Sequence, residues 1–206
     1  SIDAFSAQQR QLIATFQSPE NLKLLKEQQE IIGRYERALV TMRKAYVESA
    51  VSRANMDRNA ALAQDAITTL LNRALQLPAG DENRFAMFQT VSEVREQFLL
   101  SRYQVRAYIA APNPATEKAA RQQLDAAIAS LDRLGSHFAA NAGDTLRTLT
   151  KTMDQYQEAL ELYTSTDNTI IAMRKDMTEY GTSILGRSDE LYKIQLERRD
   201  IESATA

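Results

Sequence analysis

The chain has 206 residues, 44% of them hydrophobic, and its 25 lysines and arginines against 27 aspartates and glutamates leave a formal net charge of −2. That is enough apolar material for one or two domains, while the interleaved charges form no basic stripe of the kind a phosphate backbone requires. The absence of cysteine and the single histidine exclude disulfides, thiolate metal sites and a His-rich metal centre, and no apolar run reaches the ~18–20 residues that span a bilayer as a helix.

The first segment, about 2–16, sets Ile2, Phe5, Leu12 and Phe16 on one helical face with no cap before it. It is expected to be a helix cut free of an upstream neighbour. Ser18-Pro19-Glu20 then offers a hydroxyl N-cap, a first-turn proline and an acid, and from Pro19 to Leu77 nothing breaks a helix. Pro78-Ala79-Gly80-Asp81 makes a turn into a helix expected over 82–111. Asn113-Pro114 restarts the chain with an Asn cap, predicting a helix over 114–137, at whose end His137 is placed to cap carbonyls and no more. Ala142-Gly143-Asp144 closes the last connection, and from Asp144 to about Ala204 only Gly181 and Gly186 weaken a helix. No strand pattern, repeat or low-complexity tract competes, so the fold class is all-α.

Helix length carries the architecture. The two long segments would run roughly 85–90 Å and the two between them only ~35–45 Å, so the short helices cannot cover the long ones. Two helical bundles sharing two long helices follow, one module made of about 1–50 plus 170–206 and the other of about 51–169. For the first module, 2–16 supplies one partner helix and a fourth is missing, most simply upstream of Ser1. That module is expected to expose an apolar seam along Ile32, Leu39, Ile184 and Leu191.

Both long helices carry a 3-then-4 spacing. One seam runs through Ile32, Tyr35, Leu39, Met42, Tyr46, Ser49, Arg53, Met56, Ala60, Ala63, Ile67, Leu70, Ala74 and Leu77, the other through Leu146, Leu149, Met153, Tyr156, Leu160, Tyr163, Asp167, Ile170, Arg174, Met177, Gly181, Ile184, Ser188 and Leu191. A period of 3.5 held this long means near-parallel packing with a gentle left-handed supercoil. Its polar members are the informative ones. Arg174 falls on the seam itself, where a buried guanidinium needs a partner: either Asp167 in an intrachain ion pair or a carboxylate ligand. Tyr156 and Tyr163 are seam residues whose hydroxyls either touch a ligand or satisfy a backbone carbonyl. Arg102 and Arg106 lie four apart on one helical face beside Phe98, Val105 and Tyr108, with no acid nearby in sequence. Like charges at this spacing repel. A carboxylate would relieve the repulsion through bidentate bonds, and the alternative is that both heads reach water over buried stems. No nucleophile–base pair, Gly-rich phosphate loop or paired Glu-x-x-His motif is present, so no enzyme activity, metal or cofactor is expected.

Four stretches carry a resemblance over essentially the whole chain: Phe16-Gln17-Ser18-Pro19-Glu20-Asn21, Val105-Arg106-Ala107-Tyr108-Ile109, Arg121 to Ala127, and Leu191 to Ser203. The sequence resembles the helical bimodular periplasmic sensor domains of bacterial chemoreceptors, and among them the pseudomonad receptors for tricarboxylic-acid-cycle acids and acetate. The resemblance implies a membrane-proximal pocket for C4-dicarboxylates and a distal pocket for a small acid such as acetate. Arg174 matches a proximal ligand-side arginine, Arg102 and Tyr156 match distal positions, and Arg106 and Tyr108 belong to the same motif. Two further proximal arginines would come from a first helix that this sequence does not contain. The expected partners are small carboxylates, a second copy in a homodimer, and flanking transmembrane helices with a cytoplasmic signalling domain. The implied setting is the periplasmic face of an inner-membrane receptor, signalling by helix displacement. The alternatives are a sensor-kinase domain of the same fold that reads a periplasmic binding protein, and a passive helical spacer.

Overall fold

A computed structural model describes residues 2–15 and 19–205. Its elements are α1 (Ile2–Thr15), α2 (Pro19–Gln76), α3 (Glu82–Ala110), α4 (Pro114–Ser130), a 3-10 turn (Leu131–Arg133), α5 (Gly135–Phe138) and α6 (Gly143–Thr205), and no strand occurs among the described residues. The protein is all-α. The Ser18 cap and the Leu12 and Phe16 side chains of the expected apolar face lie outside the described residues.

The starts of the short helices follow their caps. The Asp81 side chain accepts from Asn83 N–H at 2.8 Å. Asn113 accepts from Thr116 N–H at 2.9 Å while its own N–H donates to the Thr116 hydroxyl at 3.1 Å, a reciprocal capping box ahead of Pro114. These bonds satisfy amides that have no partner inside the helix. The continuous helix expected over 114–137 does not form. α4 stops at Ser130, whose hydroxyl turns back to the Ala127 carbonyl at 2.6 Å, and the chain tightens into the 3-10 turn before α5. The break lets Leu131, Leu134 and Phe138 all reach the interior, with Gly135, a weak helix former, at the restart.

The chain divides into two compact units, residues 1–47 with 166–206 and residues 48–165. The second unit, made of α3, α4, α5 and the adjoining stretches of α2 and α6, has one continuous core. Met56, Ala60, Ala63, Ile67, Leu70 and Ala74 on α2 are buried, as are Leu149, Met153, Tyr156, Leu160 and Tyr163 on α6. These are the seam positions of the 3-then-4 pattern. Val91, Val94, Phe98 and Val105 of α3 and Leu124 and Ala127 of α4 complete the core. Two aromatic pairs pack edge to face within it, Phe98 on Tyr156 at 5.5 Å between ring centres and Tyr108 on Tyr163 at 5.9 Å. The surface is tied by Arg133 to Glu93 at 2.8 Å and by Arg121 to Glu117 and Glu161 at 3.2 and 3.0 Å.

The first unit is built differently. Leu25, Ile32 and Leu191 are buried, with Leu22, Leu24 and Ile194 packed around Leu25 and Leu191. Ile32 and Leu191, expected along an exposed seam, are therefore covered; α2 and α6 bury them against neighbours within this unit. Leu39 and Ile184 are half-buried, as are Tyr35, Met42 and Met177. Polar contacts fix the α2–α6 register here. Gln28, fully buried, donates to the Ile184 carbonyl at 3.0 Å and to the Ser188 hydroxyl at 3.1 Å, and Arg187 pairs with Glu27 at 2.6 Å.

Candidate ligand-binding site

One turn of α2 and two turns of α3 meet α6 around a cavity of about 290 Å3 in the second unit, lined by Arg53, Met56, Asp57, Arg102, Val105, Arg106, Ile109, Ala110 and Tyr156. Helical spacing explains the grouping. Arg53 and Asp57 are one turn apart on α2, and Arg102 and Arg106 one turn apart on α3, so each pair presents two charged heads to one place. Met56, Val105 and Ile109 sit between the charged positions and supply an apolar floor.

The charges are free. Among the described residues Arg53, Arg102 and Arg106 make no hydrogen bond or ion pair, and neither does Asp57, although Arg53 lies within reach along the same helix. Arg102 is half-buried, while Arg53, Arg106 and Asp57 are exposed at the rim. Tyr156 closes the inner wall. Burial pushes its phenol up to about 12 against the opposing pull of Arg102 and Arg106, and the Asp57 charge adds to the rise. The hydroxyl thus keeps its proton at any physiological pH and offers a donor beside the guanidinium groups. Three cationic forks and a neutral hydroxyl around a small concave space with an apolar floor can hold a carboxylate by charge-assisted bidentate bonds.

Of the residues singled out in the sequence, Arg102, Arg106 and Tyr156 come together here. Tyr108 and Tyr163 line no part of this cavity; they face each other in the buried core as an edge-to-face pair. Arg174 lies in the first unit and is exposed, contrary to the buried position expected of a seam residue. Nothing described covers the seam at that height, so the guanidinium spreads over the Tyr46 ring at 5.7 Å and donates to the Tyr46 hydroxyl instead of entering a dry core, where an unpaired charge would be costly. Tyr46 is itself 42% exposed. A second cavity of about 330 Å3 lies in the first unit among Ile2, Phe5, Ile32, Tyr35, Gly181, Ile184 and Leu185, and its lining is apolar.

Two cavity residues escaped the sequence. Arg53 was visible as a polar interruption of the α2 seam, which is the signal that would have found it. Asp57 falls off the seam and joins the site only because α2 presents that flank to α3. Among the described residues no cluster of three or more His, Asp or Glu could hold a metal ion, and no helix is long and apolar enough to cross a membrane.

The sequence profile of the helical bimodular sensor domain matches residues 1–206. The chain is 40% identical over 205 residues to the methyl-accepting chemotaxis protein McpS of Pseudomonas putida, covering all of this chain and 32% of that protein. It is 25% identical over 195 residues to the methyl-accepting chemotaxis protein McpQ of the same organism, covering 95% of this chain and 30% of McpQ. The chain thus spans about a third of the length of these relatives. With the profile matched from end to end over an all-α fold, the chain belongs to the family of helical bimodular sensor domains.

Proposed function

We propose that this domain is the extracytoplasmic ligand-binding part of a methyl-accepting chemotaxis receptor for small organic acids, and that a carboxylate seats in the second-unit cavity between Arg53, Arg102 and Arg106 with Tyr156 donating from below. The observation that carries this reading is the convergence of three guanidinium groups without ion-pair partners on one concave space. Such charge is unfavourable unless solvated or neutralised, and an acid the size of acetate neutralises it. Both chemotaxis relatives support the receptor context. In the intact receptor the domain works as a homodimer on the periplasmic side of the inner membrane, joined to transmembrane helices and a cytoplasmic signalling domain. It has no catalytic role.

Arg174 with Tyr46 is the candidate contact for a C4-dicarboxylate such as malate or succinate in the first unit, the arginine already exposed and held by an aromatic neighbour that can also donate. Ligand carboxylates bridging groups on different helices favour one helix offset over another, and α6 carries that offset towards its C-terminal end. A ligand can shift such an equilibrium only by its difference in affinity for the two offsets. Calorimetric and thermal-shift screening against malate, succinate, fumarate, citrate and acetate tests the proposal. A specific acid at 100 times its dissociation constant adds about 2.7 kcal/mol of stability, and Arg102→Ala abolishes the small-acid response. No response to any acid, or one that Arg102→Ala leaves intact, contradicts it.

A further inference from the structure

We infer that the second-unit cavity is built for a carboxylate that carries an ammonium group beside it, an α-amino acid zwitterion, with Asp57 as the residue that selects it. The inference rests on the proposed seating of a carboxylate at the three arginines and adds the second half of the ligand. Its basis is the one acid of the lining. A site that only attracts an anion gains nothing from a carboxylate at its edge, which repels the ligand at the distance of a helical turn. An acid set among arginines usually neutralises one of them. Here it does not: Arg53 and Asp57 stand one turn apart on α2, the spacing at which opposite charges pair on a helix, and yet neither makes an ion pair or hydrogen bond among the described residues.

The cavity therefore presents positive and negative heads separately, with the guanidinium groups of α3 opposite the α2 pair. A ligand with both charged groups attached to one carbon answers both at once. Its carboxylate takes Arg102 and Arg106, and its ammonium donates to Asp57. The volume of about 290 Å3 is several times the ~30 Å3 share of one water, so it leaves room for a side chain. Met56, Val105 and Ile109 offer that side chain an apolar floor. The Tyr156 hydroxyl, protonated at neutral pH, can donate to the carboxylate or accept from the ammonium, which suits a ligand with both groups.

Matched pairs of ligands isolate the ammonium: glycine against acetate, L-alanine against propionate, L-aspartate against succinate. Titration of each into the 206-residue chain, followed calorimetrically, is expected to give the aminated member binding tighter by about threefold to fivefold, the scale of an ion pair to an exposed carboxylate. Asp57→Asn should reverse the order, weakening the amino acid and tightening the plain acid, while Asp57→Glu should keep the wild-type preference. Asp57 is exposed on a helix surface, so neither change threatens the fold, which circular dichroism checks. Plain acids that bind as tightly as their aminated partners, in a manner that needs Arg102 but ignores Asp57→Asn, would overturn this inference and leave the carboxylate site standing. Binding of neither member of any pair would overturn both.

Discussion

The two units use the same two long helices and the same 3-then-4 seam, and they differ in what covers it. In the second unit α3 and α4 close over the seam, every α2 seam position from Met56 to Ala74 is buried, and Arg53 and Arg102 at the edge of the core line a cavity. In the first unit the seam is partly open. Tyr35, Leu39, Met42 and Met177 are half-buried, and Tyr46 and Arg174 lie at the surface. A heptad pattern states which flank of a helix faces a partner; burial then depends on the partner being there.

The largest expected effect is on stability. Phe98, fully buried and packed on Tyr156, should cost about 3–5 kcal/mol on truncation to alanine. Met42→Ala, on a half-buried seam position of the first unit, should cost about 1 kcal/mol. Urea denaturation of both variants gives the comparison, and equal losses would mean that the first-unit seam is as tightly packed as the second.

Next comes binding. Arg102→Ala removes a half-buried charged partner from the cavity, a change of about 1.5–3 kcal/mol, or at least about tenfold in affinity for a small acid, with unfolding midpoints little altered because the side chain makes no structural bond. Arg174→Ala tests the other unit. It should lower stability by only about 0.5–1 kcal/mol, the scale of an exposed cation–aromatic contact, remove any dicarboxylate response and leave small-acid binding unchanged. Loss of both responses in a folded variant would show that the units do not bind independently.

These sites were unequally legible in the sequence. The inward face of α2 and α6 followed from periodicity, and Arg102 and Arg106 could be paired because a spacing of four survives folding, whereas Tyr156 joined Arg102 only through the family resemblance. The Tyr108–Tyr163 pair could not be told from cavity residues, since a seam tyrosine is either packed or exposed to a void according to neighbours on other helices. Asp57 depended on the same tertiary detail. Arg174 was placed on the right flank of its helix but at the wrong depth, because spacing carries no information about cover. The end of α4 was missed for a tertiary reason: apart from Gly135 the residues from Leu131 to Phe138 can continue a helix, and it is the burial of Leu131, Leu134 and Phe138 together that favours the 3-10 turn.

The smallest expected effect concerns pH. The hydrogen bond from Arg187 holds the Glu27 carboxyl below its usual value of 4.5, with the Arg187 and Lys23 charges helping and partial burial opposing. A group with a depressed folded pKa contributes stability that is fully present above the unfolded value and lost as pH falls through the folded one. Glu27→Gln should therefore be slightly less stable than the native chain at pH 7, with the difference shrinking once the pH falls below 4.5 and lost as it passes through the depressed folded value. A difference that grew in acid would mean that the pair does not form.

Hydrogen exchange with and without the tightest-binding small acid tests most directly where the ligand sits. Seating between Arg53, Arg102 and Arg106 predicts that the ligand slows exchange around residues 50–60, 100–112 and 152–160, with Arg102→Ala removing the effect. Slowing confined to the neighbourhood of Tyr46 and Arg174, or no slowing at a saturating concentration of an acid that binds, would contradict it.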